Sequence, residues 1–198
     1  MPNLPKHQAQ LGRGPPVPGR TRGSRDCGPR TWQMGVDYLT KGQKVPGITE
    51  LRRRGNVPGP QPTNVQDAKL AVESYQKIKG RKPLRYYIKS RIADVKTAVA
   101  KGKFVQCAID YGKFNDLMHR TGDPNFRGGH SIGILGQKTL KSGRVRWLLW
   151  DPLDDNRRGE IPQGPRWVDR WKVIRSMESF AGGKGRCYAG VFGGGQKR

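Results

Sequence analysis

Acidic residues are scarce in this chain. Its 198 residues hold 15 Asp and Glu against 39 Lys and Arg, a net charge of +24. Such a surface favours polyanionic partners: nucleic acid, an acidic protein surface or an anionic cell-wall polymer. Long basic runs are missing all the same. The densest is Arg52-Arg53-Arg54, with no aromatic residue interleaved as in a ribonucleoprotein motif. Nonspecific, salt-dependent polyanion contact is therefore expected rather than sequence-specific reading. Apolar runs are short too. The longest is Trp147-Leu148-Leu149-Trp150, where a membrane span needs ~20 residues, so no span is expected. The first ten residues, MPNLPKHQAQ, hold no apolar stretch of the kind a secretory signal needs, and none is expected. Cysteines number three, Cys27, Cys107 and Cys187, all far apart. That excludes a disulfide framework and zinc-type spacing, and no metal site is expected. Cys107 and Cys187 read as buried, reduced thiols.

Glycine and proline are plentiful, and they gather at the ends. Residues 1–25 form a basic arm in which Gly14-Pro15-Pro16-Val17-Pro18-Gly19 excludes helix and central strand. A basic, glycine-rich tail covers 193–198. The folded domain is expected over 26–192, since 33% apolar residues suffice for one core. Arg13, Arg20 and Arg22 of the arm, with Arg52, Arg53 and Arg54, are the candidate contacts to other subunits of an assembly.

Within the domain, Asp26 as N-cap and Pro29 in the first turn predict a helix to Thr40. Residues 41–62 read as a long basic connection with a helical turn near Ile48–Arg54. A Thr63/Gln66 capping box predicts a second long helix with Ala68, Val72, Tyr75 and Ile78 inward. Ser90 is the expected cap of a third, with Ile92, Val95 and Val99 on one face and Gly102 as its stop. From Val105 the period becomes two. Strands are expected at Val105–Tyr111, His130–Gly136, Arg144–Asp151, Trp167–Val173 and Cys187–Phe192, with a loop from Gly112 to Gly129. Helices followed by an antiparallel sheet make an α+β domain.

Three residues carry chemistry. Cys27 opens a helix, where the dipole and free N–H groups favour a thiolate. Gly28 leaves room beside the sulfur, and Arg22, Arg25 and Arg30 add positive potential, which suits a nucleophile. His130 opens a strand after Gly128-Gly129. A hairpin turn centred between residues 140 and 141 places Asp151 directly opposite His130, as a base and the carboxylate that orients it. Cys27 Sγ is then expected within about 3–4 Å of one His130 nitrogen, with Asp151 at the other.

Asp26-Cys27-Gly28-Pro29, the passage IADVKTAVAKGKFVQCAIDYG, the Gly-Gly-His130 strand and the Trp150-Asp151-Pro152 ending together resemble the papain-like cysteine peptidases of the C39-like group. The resemblance covers residues 26 to about 155, and more loosely to Phe192. It implies a papain-like fold, N-terminal helices bearing the nucleophile and an antiparallel sheet bearing the base. Cys27 would be nucleophile, His130 general base and then acid, and Asp151 the orienter, with no metal or organic cofactor. The family usually has a Gln about six residues before the nucleophile as oxyanion donor. Here that position is Thr21, so the expected oxyanion site combines Thr21 with the Cys27 N–H, at a cost of ~10²–10³ in rate if Thr21 does not substitute. His7 and His119 read as surface histidines, Asp154 and Asp155 as a solvated turn, and Trp32, Trp147 and Trp150 as core or cleft wall.

Two functions follow as expectations. One is a thiol hydrolase of peptide or isopeptide bonds, anchored through its arms in a larger assembly such as a phage virion near the tail. The other is a structural virion protein that keeps the peptidase fold as scaffold. A Cys-His-Asp acyl transferase is a third option.

Overall fold

The computed structural model describes residues 26–41, 45–59, 61–75, 83–118, 125–153 and 165–194. The two arms, apart from Gly193 and Gly194, lie outside them, and so do Thr21, Arg13, Arg20, Arg22, His7, His119, Ile78, Asp154 and Asp155. In chain order the elements are α1 (Cys27–Thr40), α2 (Ile48–Arg54), α3 (Val65–Ser74), β1 (Arg85–Arg91), α4 (Ile92–Ala100), β2 (Val105–Asp110), α5 (Tyr111–Leu117), β3 (Gly129–Thr139), β4 (Val145–Trp150), β5 (Arg166–Asp169), α6 (Arg170–Ala181) and β6 (Arg186–Gly193). The six strands form one sheet in the order β1-β6-β2-β3-β4-β5, every pair antiparallel. The domain is α+β.

The period-two alternation of the strands gives the sheet a core on each face. Val105, Cys107 and Ile109 of β2, with Ile132 and Ile134 of β3, pack against Val95 and Val99 of α4 and Val173 and Met177 of α6. On the other face Trp32 and Met34 of α1, Leu51 of α2 and Val72 of α3 meet Tyr86, Leu135, Trp150 and Phe192. Helices therefore cover both faces of the sheet. Trp32, Trp147 and Trp150 are fully buried.

Four local expectations are corrected. Ser90 caps nothing: it lies inside β1, an edge strand in which buried Tyr86 alternates with exposed Arg85 and Tyr87. The α3 capping box sits one residue later. Asn64 Oδ1 accepts from the N–H groups of Gln66 and Asp67 at 2.7 and 3.1 Å, and Asp67 Oδ2 accepts from the Asn64 N–H at 2.7 Å. The loop after β2 begins with α5, a short helix of weak formers started by Asp110, whose Oδ1 accepts from the Lys113 N–H at 3.1 Å. The last helix, α6, was hidden behind the aromatic alternation of Arg166-Trp167-Val168-Asp169. Its own inward residues, Val173, Ser176 and Met177, follow helical spacing.

The hairpin turn also differs. β3 and β4 pair Thr139 with Val145 and Gln137 with Trp147, which centres the turn on Ser142. A bulge at Leu135 then shifts the ladder to Ile134–Leu149 and Gly133–Trp150. Continued one step, that ladder would set Asp151 beside Ile132, one cross-strand pair away from His130 on the same face.

Candidate active site

Cys27 is the first residue of α1, half-buried, with its own N–H among the helix-start donors that have no intrahelical acceptor. Asp26 occupies the N-cap position without capping: its side chain makes no hydrogen bond to the helix N–H groups. The carboxylate turns instead to Arg52, whose Nε and Nη2 both lie 2.7 Å from Asp26 Oδ1. Arg52 Nη1 also donates to the Gln61 carbonyl at 3.1 Å. Arg52 is 1% exposed and Asp26 0%. Arg52 is therefore no partner contact but an internal strut that ties α2 and the following loop to the start of α1. Arg54 is engaged too, with Glu50 at 2.8 Å and the Ser74 carbonyl at 2.8 Å. Of the three, Arg53 is the exposed one.

Gly28 is required by close approach. A Cβ there would lie 2.0 Å from Thr63 Oγ1. One turn on, the Thr31 hydroxyl is shared between the Cys27 carbonyl at 2.7 Å and the Ser131 carbonyl at 3.2 Å. That bond locks the helix bearing Cys27 to the strand bearing His130. Ser131 is braced from the sheet: Gln106 Nε2 donates to Ser131 Oγ at 2.8 Å, and Tyr86 Oη donates to Gln106 Oε1 at 2.7 Å.

His130 and Asp151 are 3% and 1% exposed, and His130 Nε2 lies 2.7 Å from Asp151 Oδ1. The His130 ring is near enough to the Cys27 thiol for each to shift the other's pKa. With Nε2 engaged by Asp151, Nδ1 is the nitrogen left to face the sulfur. Asp151 reaches the ring diagonally from just beyond the strand end, not from the directly opposed position. Its carboxylate is held from every side: Tyr111 Oη donates to Oδ2 at 2.9 Å, the Leu153 N–H donates to Oδ1 at 2.9 Å, and Arg166 Nη2 lies 3.8 Å from Oδ2. The Tyr111 ring also meets His130 edge-on, with centroids 4.8 Å apart.

These contacts set the protonation states. Burial raises the Cys27 thiol, but the His130 hydrogen bond and charge, with the Ser131 and Gly28 N–H groups, outweigh it and hold the thiol below its ordinary value of 9.0. Burial pushes His130 down, yet the Asp151 charge and hydrogen bond, helped by Cys27, lift it to about 10. Burial likewise raises Asp151, and the His130 charge, its hydrogen bond and Arg166 overcome that and lower it. An imidazolium held by a carboxylate thus sits beside a thiol whose ionisation it favours. Cys107 is pushed well above the usual thiol range by burial, and Cys187 to about 11. Neither supplies a thiolate.

A selective reaction is expected. Iodoacetamide at pH 7 should modify Cys27 alone, read by peptide mass, with Cys107 and Cys187 reacting only after unfolding. The Cys27 rate should reach half its maximum below pH 9.0. In His130→Gln the raising effect of burial is left unopposed by imidazolium, so the midpoint should move upward. Asp151→Asn should move it the same way, because His130 loses the charge that keeps it protonated. An unchanged midpoint in both variants would show that the thiol titrates independently of them.

The structure thus brings Cys27, His130 and Asp151 into one cluster. Tyr111, Arg166, Thr31 and Ser131 escaped the sequence pattern. Tyr111 read as the last residue of a strand, and no local signal pairs it with a carboxylate forty positions on. Among the described residues no group of His, Cys, Asp and Glu is arranged to hold a metal ion. No helix among them is long and apolar enough to cross a membrane. No protein-family model matches the chain, and no curated protein matches it.

Proposed function

We propose that this chain is a thiol hydrolase of papain-like fold that cleaves peptide or isopeptide bonds. The observation that carries this reading is the buried His130–Asp151 pair at 2.7 Å beside a half-buried Cys27 at a helix start, its thiol pKa lowered by His130. A structural protein needs no buried imidazolium–carboxylate pair beside a thiol, since burying such charges opposes folding unless the geometry compensates them.

The chemistry follows from the geometry. Cys27 thiolate attacks the carbonyl carbon of the scissile amide, forming the C–S bond. The oxyanion that results faces the Cys27 N–H at the positive end of α1. His130 gives its Nδ1 proton to the leaving nitrogen as the C–N bond breaks, leaving a thioester. Neutral His130 then takes a proton from water, whose oxygen attacks the thioester carbonyl. The C–S bond breaks, and thiolate and imidazolium are restored. Asp151 keeps Nε2 protonated throughout and does not itself transfer a proton.

The test is a set of peptides with α-linked and isopeptide-linked amides, quenched in acid at short times. Intact and peptide mass should show an acyl adduct on the Cys27 peptide for the class that is turned over. If no class is cleaved or forms the adduct while Cys27 still reacts with iodoacetamide, the hydrolase reading fails and the scaffold reading replaces it.

A further inference from the structure

The far end of the sheet carries a second surface with a different composition. β5 is an edge strand of four residues, and α6 follows it without a break. Five tryptophans occur in the chain. Trp32, Trp147 and Trp150 are fully buried, while Trp167 of β5 is 37% exposed and Trp171 of α6 is 52% exposed. An indole is a costly group to leave in water, and two within five residues need a reason.

Cations surround both rings. Lys138 Nζ lies 4.3 Å from the Trp167 ring centre, and Lys172 Nζ lies 5.7 Å from that of Trp171. Between the rings, Asp169 holds Arg146 at 2.9 Å and also pairs with Arg144. One carboxylate thus fixes two guanidinium groups. Arg144, Asp169, Arg170 and Trp171 line a hollow of about 230 Å³ against the β3–β4 turn. Lys138 faces Arg146 in the ladder and Arg146 faces Asp169, two residues along β5 from Trp167, and Asp169 lines the hollow together with Trp171.

We propose that this tract binds single-stranded nucleic acid, with bases stacked on Trp167 and Trp171 and phosphates on the intervening arginines and lysines. Charge complementarity selects a polyanion, and the indoles select among polyanions. Duplex DNA keeps its bases stacked inside and would leave both rings unused. An acidic protein surface would take up the cations and offer the rings nothing planar. Unpaired bases use both features, and a cation displaced from an indole face by a base is placed to meet the adjoining phosphate. The hollow lies by the β3–β4 turn, away from Cys27, while Trp167 at the other end of the tract follows Arg166, which reaches Asp151.

Intrinsic fluorescence gives a direct readout, because only the two exposed indoles are within reach of a bound base. Titrating the full chain with a dT oligomer at low salt should quench emission. Trp167→Ala/Trp171→Ala should weaken dT binding at least ~30-fold, while duplex binding of the same length changes less than about threefold. Trp167→Phe/Trp171→Phe should keep intermediate affinity, and circular dichroism of both variants should match the native chain. Raising salt should weaken dT binding steeply, with a shallower slope in Lys138→Gln/Arg170→Gln. Three results would overturn the proposal: native quenching absent, duplex or heparin bound as tightly as dT, or unchanged dT affinity after the alanine substitutions.

Discussion

Cys27→Ala is expected to abolish turnover, with kcat/KM falling by at least ~10⁴-fold on whichever amide acylates the native chain. The loss is near complete because no neighbouring group can form the thioester. Cys107 and Cys187 are buried with raised thiol pKa values. A graded series should follow from how far each residue stands from the reacting atoms. His130→Ala removes both the proton donor and the charge that lowers the thiol pKa, and should cost about 10³–10⁴-fold. Asp151→Asn keeps an oxygen for Nε2 but loses the charge, and should cost roughly 10²-fold. Tyr111→Phe removes one hydrogen bond to Asp151 Oδ2, where Arg166 remains at 3.8 Å, and should cost about tenfold in kcat with KM unchanged. Melting curves recorded with each variant separate lost chemistry from lost fold. If Cys27→Ala retains a tenth of the native rate, the thiol is not the nucleophile. If Tyr111→Phe is as inactive as His130→Ala while fully folded, Tyr111 acts on the substrate and not through Asp151.

The second large effect concerns stability. Arg52→Met should lower the unfolding free energy by about 3–5 kcal/mol, because it leaves the Asp26 carboxylate buried and without its cation. For a domain of this size that is a drop in Tm of roughly 6–20 °C. Asp26→Leu/Arg52→Met should recover part of the loss, since no orphan charge remains. The recovery is incomplete because the Val57 and Gln61 carbonyls lose the donor they share, Arg52 Nη1. The pH dependence has a definite sign. Burial, against the opposing pull of Arg52 and Arg30, raises the Asp26 pKa above 3.8 in the folded state. A folded carboxyl with a raised pKa binds its proton more tightly than the unfolded one, so the destabilisation is full above the folded pKa and fades as pH falls toward 3.8. The deficit of Arg52→Met should therefore be largest at neutral pH and shrink in mild acid. A deficit that is small at pH 7, or that grows as pH falls, would show that Arg52 acts through packing alone. Because Asp26 adjoins Cys27, alkylation of Cys27 in the folded variant also reports whether the strut positions the thiol.

The two halves of this molecule differ in what local patterning encodes. Cys27 directly after an N-cap position, the Gly-Gly-His130 strand start and the Trp150-Asp151-Pro152 strand end are local features of sequence. So are the period-two runs that become β2, β3 and β4. They specify an α+β chain and three chemistry-bearing positions, because a helix start, a strand start and a strand end are each dictated by neighbours a few residues away. Other decisions depend on distant groups. Asp26 has the composition of a cap, yet a buried arginine 26 positions on outcompetes the helix N–H groups for its carboxylate. Arg52 looks like one of three surface cations until the fold buries it against Asp26 and the Val57 and Gln61 carbonyls. The Leu135 bulge and a turn centred on Ser142 displace Asp151 from the facing position, and the pair survives because a diagonal neighbour on the same face is still within reach. Tyr111 finds Asp151 and Thr31 finds Ser131 across forty and one hundred positions. Residue types and local periods thus place a thiol, an imidazole and a carboxylate at element ends. The Asp151 charge that lifts His130 to about 10 against the pull of burial, and the donors that hold the thiol down, act only when β3, β4 and α1 are packed together, because no local pattern brings these groups into contact.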